Sequence, residues 1–147
     1  MPKTKKTYQL KLPGQSDVLE IVRDFVTRIA HKIGIESAEI DKIELAVDEA
    51  CANVVKHAYA VQNSKRKAQP LEVSVTVDPK QFVIVVSDKG KGFDYSKHKS
   101  LDMEQYRAEK KRGGLGIHLM RTLMDEIEYS IEPGKKNEVK LIKYISD

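Results

Sequence analysis

The 147-residue chain has one cysteine, no tryptophan and six per cent aromatics. The lone Cys51 has no intrachain disulfide partner, which favours a reducing compartment over a secreted, disulfide-stapled domain. No apolar run approaches the roughly 20 residues that span a bilayer. The lysine-rich opening, MPKTKKTYQL, lacks the apolar core of a signal peptide. The expectation is a cytoplasmic protein without a membrane partner. With five prolines, eight glycines and no low-complexity linker or repeat, residues 1–147 read as one continuous domain. A large excess of one charge is missing as well: 26 Lys and Arg face 22 Asp and Glu, leaving +4. A mildly basic chain invites a nucleic-acid reading. Its basic residues are interleaved with acids, however, and it carries no recognised binding motif, so no direct nucleic-acid partner is expected.

What is present is strong periodicity. Thr7 to Leu12 alternates polar and apolar and stops at Pro13-Gly14, predicting a strand. Ser16 is a suitable N-cap for a helix carrying Val18, Ile21, Val22, Phe25, Ile29 and Ile33, with Gly34 as its stop. A second helix begins near Ser37, places Ile40, Ile43, Val47, Ala50, Val54 and Ala58 on one stripe, and fades before Gln62. Leu71–Val77 and Phe82–Asp88, joined by Asp78-Pro79-Lys80-Gln81, form a hairpin signal. A third helix is predicted from about Leu115 to Glu126, followed by a hairpin of IEYSIE and EVKLIKYI across Pro133-Gly134. The expected fold class is α+β: a two-layer sandwich with a mostly antiparallel, mixed sheet and three helices on one face.

Three clusters carry candidate chemistry. Glu49, Asn53 and His57 are spaced four apart on the second helix, beside its apolar stripe. Taken singly they read as an exposed polar row, although an asparagine in mid-helix is a poor helix former and wants a reason. A carboxylate one turn from an amide oxygen can act as a base beside the ligand of a hard cation. The second cluster, Asp88-Lys89-Gly90-Lys91-Gly92-Phe93-Asp94, follows an apolar strand. Its alternate glycines permit close backbone approach, and Asp88 can accept a hydrogen bond from an exocyclic amine. The third is Arg112-Gly113-Gly114-Leu115-Gly116-Ile117 at a helix start, where backbone N–H groups favour anions. Each alone is weak, and the third is no Walker loop.

In this order the three resemble the GHKL ATPase superfamily with its Bergerat nucleotide fold. The segment IELAVDEACANVVKHAY (Ile43 to Tyr59) is most similar to the bacterial anti-sigma-factor serine/threonine kinases. The resemblance runs from the first strand to Ile145. It implies ATP and Mg²⁺ as cofactors, with Asn53 as the metal ligand and Glu49 as the general base. It implies Asp88 on the adenine amine, and Gly90 and Gly92 on the pocket wall. Gly114, Leu115 and Gly116 would line the phosphates, with Arg112 near the terminal one. Residues 95–112 would be the lid. That stretch, Tyr95 to Arg112, holds six basic residues against three acidic ones, a charge suited to a polyphosphate. Where relatives often have threonine before the last strand, this chain has Asn137, which implies altered pocket contacts.

The implied activity is phosphorylation of an antagonist protein (an anti-anti-sigma factor) in a partner-switching system that also holds a sigma factor. A homodimer is implied too, and the first helix, with Arg23, is a candidate partner face. The alternative is a nucleotide-dependent binding switch without kinase activity. A histidine-kinase fragment fits less well, because only twelve residues precede Pro13.

Overall fold

In the computed structural model, backbone is described for residues 4–13, 18–61, 70–88, 116–132 and 136–145, and within it the side chains of 53–61, 116–119 and 131–132 are left aside. The order is β1 (Lys6–Leu12), α1 (Val18–Lys32), α2 (Ser37–Val61), β2 (Leu71–Val77), β3 (Gln81–Asp88), α3 (Gly116–Leu123), β4 (Glu126–Glu132) and β5 (Lys136–Tyr144). The expected N-cap, Ser16, lies outside the described residues.

The five strands form one sheet in the order β1-β2-β3-β5-β4. All four pairings are antiparallel, which narrows the expected mixed sheet to a purely antiparallel one among the described residues. One face of the sheet meets the helices, and alternation is clearest on β2. On β2, Leu71, Val73, Val75 and Val77 are buried while the residues between them are half-buried. Residues directly opposite in an antiparallel pair share a face, so the register extends this row. Val86 sits opposite Val73 and Val139, and Ile84 opposite Val75 and Leu141.

These side chains join Val22 and Val26 of α1, Ile43, Val47 and Ala50 of α2, and Met120 of α3 in one core. All three described helices therefore pack on the same face, with α2 between α1 and α3 and resting on β3 and β5. The opposite face presents Gln9, Lys11, Glu72, Ser74 and Glu138 around a shallow depression. Val83 and Ile142 are buried on that face as well.

Local chemistry sets the element ends. Gly34 has φ +88°, the left-handed region open to glycine. There the Ile35 N–H reaches the Ala30 carbonyl and the Gly34 N–H reaches His31. That pair of bonds is the Schellman closure of a helix. In the β2–β3 turn, Asp78 Oδ1 accepts from Lys80 N at 2.7 Å and from Gln81 N at 2.9 Å, so the aspartate holds the turn. Both bonds keep its carboxyl below the usual range, that from Lys80 first.

The third helix ends earlier than its sequence pattern suggests, at Leu123 rather than near Glu126. The sheet takes over the backbone. Met124 N still bonds Met120 O, but Asp125 N bonds Ile142 O at 2.9 Å, and Asp125 Oδ2 accepts from Tyr144 N at 2.6 Å.

Candidate functional site

The β3–β5 register sets Asp88 directly opposite Asn137. Both follow the helix-facing row, beyond Val86 and Val139. Asn137 Nδ2 donates to Asp88 Oδ1 at 3.2 Å, across 49 residues of sequence. Leu71, the partner of Asp88 on its other side, is buried. A carboxylate and an amide thus meet beside an apolar wall. Apolar surface with a few placed polar groups suits a flat heterocycle that carries an exocyclic amine.

Helix α2 supplies the second element. At its start Glu39 Oε2 meets Lys143 Nζ at 2.5 Å, at the end of β5 away from Asn137. At roughly 1.5 Å of rise per residue, Asn53 lies about 21 Å along the helix from Glu39. From Lys143 back to Asn137 the strand covers about 20 Å at about 3.4 Å per residue. The helix lies on β3 and β5, so it carries Glu49 and Asn53 toward the Asp88–Asn137 end. Glu49 is half-buried there. Asn53 and His57 continue the helix by their backbone, and Gly116 is the first residue of α3. Gly90, Gly92, Arg112, Gly114, Leu115 and the expected lid at 95–112 lie outside the described residues.

No group of three or more His, Cys, Asp or Glu that could hold a metal occurs among the described residues. Mg²⁺ does not need one: it is commonly held by one or two protein oxygens together with substrate phosphates and water. A single amide at the position of Asn53 is compatible with that mode. Cys51, two residues beyond Glu49, belongs to the core. Burial pushes its thiol up to about 12, so it stays protonated at neutral pH and unreactive.

Two polar constellations go beyond the sequence-based expectations. Lys143, 9% exposed, also donates to the Leu123 carbonyl at 3.1 Å. It therefore joins the start of α2, the end of α3 and β5. The one signal for it in the sequence is a lysine on the inward row after Val139 and Leu141. Arg23, a candidate partner contact, also braces α1 to α2. Its Nε lies 3.0 Å from Asp48 Oδ1 and 3.5 Å from Glu44 Oε1. The hydrogen bond to Asp48 raises the guanidinium above its usual value.

Residues 12–143 match the family profile described as "Histidine kinase-like ATPase domain". The chain is 33% identical over 139 residues to the serine-protein kinase RsbW of Bacillus pumilus, covering 91% of this chain and 84% of that protein. With RsbW of Bacillus subtilis the identity is 31% over 143 residues, 94% of this chain and 85% of the relative. Among solved structures, a chain of the SiaB-SiaC complex of Pseudomonas aeruginosa superposes with TM-score 0.69 at 14% identity, covering 92% of this chain and 88% of that one. The RsbU and RsbW domains of a Mycobacterium tuberculosis protein give TM-score 0.66 at 15% identity, over 94% of this chain and 32% of theirs. At such identities the structural likeness concerns the fold.

Proposed function

The chain belongs to the histidine kinase-like ATPase domain family, and from that premise we propose that it is an ATP-dependent serine/threonine protein kinase. Its substrate in this reading is an antagonist protein of a partner-switching system, and its second client is a sigma factor that it holds as an anti-sigma factor. A homodimer and a cytoplasmic setting complete the proposal. The observation that carries it is the Asp88–Asn137 pair, formed by strand register on the face where α2 lies.

Asp88 accepts the adenine amine, and Asn137 holds the carboxylate in place through its amide. Asn53 would hold Mg²⁺ through its amide oxygen, and the ion would supply charge neutralisation on the phosphate oxygens. Backbone N–H groups from Gly114 to Gly116 would receive the phosphates, with Arg112 adding charge. Gly90 and Gly92 let the chain approach the nucleotide closely. The acceptor hydroxyl oxygen bonds to the γ-phosphorus as the bond to the β–γ bridging oxygen breaks, and ADP leaves. Glu49 takes the hydroxyl proton. Positioning and charge neutralisation supply most of the catalysis in such transfers.

The test is incubation of the full chain with Mg·ATP and the serine-bearing antagonist protein of its own cell, read by intact mass. A gain of one phosphate on the antagonist, lost with Asn53→Ala, is the expected result. Complex formation without added phosphate would replace the kinase with a nucleotide-dependent binding switch.

A further inference from the structure

The candidate base is the last described side chain of a longer row. Asp41, Leu45 and Glu49 stand four residues apart on α2, so they fall on one side of the helix, each about 6 Å further along its axis. Leu45 is 52% exposed in mid-helix, while Ile43, Ala46 and Val47 beside it fill the core. An exposed leucine by itself needs no explanation. The neighbours make this one informative. Between Ser37 and Ala52, α2 carries five carboxylates and one lysine, in a chain of net charge +4. Glu39 is held by Lys143 and Lys42, and Glu44 and Asp48 by Arg23. Asp41 and Glu49 make no ion pair among the described residues, and they are the two that flank Leu45.

We propose that Asp41 and Leu45 form the docking foot for the phosphoacceptor protein, continuous with the base at Glu49. The inference rests on the kinase reading and adds the substrate's recognition chemistry. The acceptor brings an apolar side chain to Leu45 and a lysine or arginine to Asp41, at about 6 and 12 Å from its reacting hydroxyl. Continuity with Glu49 selects this occupant, because a protein whose hydroxyl meets the base also overlies the two preceding turns of α2. An isologous contact between two copies on this row would instead bring the same carboxylates together. The apolar contact supplies affinity, and the carboxylate supplies register and association rate.

The experiment uses the full chain, Mg·ATP and the antagonist protein whose mass increases in the assay above. Leu45→Asp is expected to lower kcat/KM for that protein at least about tenfold, chiefly through KM. Leu45→Met stays within about twofold. Asp41→Lys lowers kcat/KM about three- to tenfold and weakens its salt dependence. Unchanged affinity for a fluorescent ATP analogue and an unchanged thermal midpoint establish that both variants are folded and loaded. Wild-type kcat/KM in Leu45→Asp overturns the docking foot and leaves the kinase reading standing. Sedimentation showing that Leu45→Asp converts a dimer to a monomer, with transfer per site unchanged, assigns the row to self-association and also overturns it. Absence of any transfer by wild type removes the kinase reading itself, and the docking foot with it.

Discussion

The two ends of the sheet's helix-facing side use polar residues in opposite ways. At the Lys143 end, charged groups bind one another and the backbone. Glu39 meets Lys143, Lys143 meets the Leu123 carbonyl, and Asp125 meets the Tyr144 N–H. These contacts fasten α2, α3, β4 and β5 together. At the Asp88 end, a carboxylate and an amide lie side by side next to buried Leu71, and half-buried Glu49 approaches along α2. The first end is a fastening and the second is the proposed receptor. A polar residue's partner, rather than its type, distinguishes the two ends.

The sharpest contrast between the ends lies in rate. Glu49→Gln keeps size and polarity but removes the proposed base, and phosphotransfer to the antagonist is expected to fall about 10²- to 10⁴-fold. Fluorescent ATP-analogue affinity and thermal midpoint should barely change. Transfer at the wild-type rate would take Glu49 out of the reaction.

An intermediate contrast sets affinity against stability. Asp88→Ala should weaken ATP binding about a hundredfold, equivalent to about 2.7 kcal/mol, by removing the proposed acceptor for the exocyclic amine. Its thermal midpoint should change little, because the group lies at a strand's end. Glu39→Ala should do the reverse: a loss of about 1–3 kcal/mol from leaving Lys143 with one partner fewer, and ATP affinity within twofold. If Glu39→Ala abolished ATP binding while Asp88→Ala only lowered the midpoint, the assignment of the two ends would be inverted.

Acid titration sharpens the same comparison. The hydrogen bond from Lys143, with a further contribution from Lys42, holds the Glu39 carboxyl below its ordinary 4.5. A carboxyl depressed in the folded state adds stability that is fully present above its unfolded value and is lost as pH falls through the folded one. Between pH 7 and pH 3, wild type should therefore lose more unfolding free energy than Lys143→Met, measured by denaturant titration. Parallel acid limbs for the two proteins would show that the pair contributes nothing to the pH dependence.

The sequence is most legible where one local rule decides the outcome. Alternation in Leu71–Val77, the four-residue turn at Asp78–Gln81 and the glycine stop at Gly34 all appear in the structure where local chemistry puts them. Legibility fails where a distant strand competes for the backbone. The apolar pattern of α3 continues past Leu123, but Asp125 donates its N–H to Ile142 and accepts the Tyr144 N–H, which ends the helix. Lys143 reads in the sequence as one more strand residue because its partners, Glu39 and Leu123, are 104 and 20 residues away. Asp88 and Asn137 each stand out by motif position. Their contact needs the register of β3 with β5, which neither segment encodes alone.

Asn137 offers the smallest and most discriminating test of the receptor end. Its amide donates to Asp88 from the adjacent strand, and a threonine hydroxyl could donate from the same backbone position. Threonine is β-branched and suits a strand, so Asn137→Thr should leave the fold intact. The hydroxyl is shorter than the carboxamide and carries one donor where the amide NH₂ carries two. The substitution thus preserves a donor toward Asp88 while giving up the second N–H. The expected result is a change in ATP affinity of no more than about fivefold, or about 1 kcal/mol, measured with the fluorescent analogue. Loss of binding as complete as in Asp88→Ala would mean that the carboxamide contacts the nucleotide itself and that Asp88 is not the dominant polar group of this end.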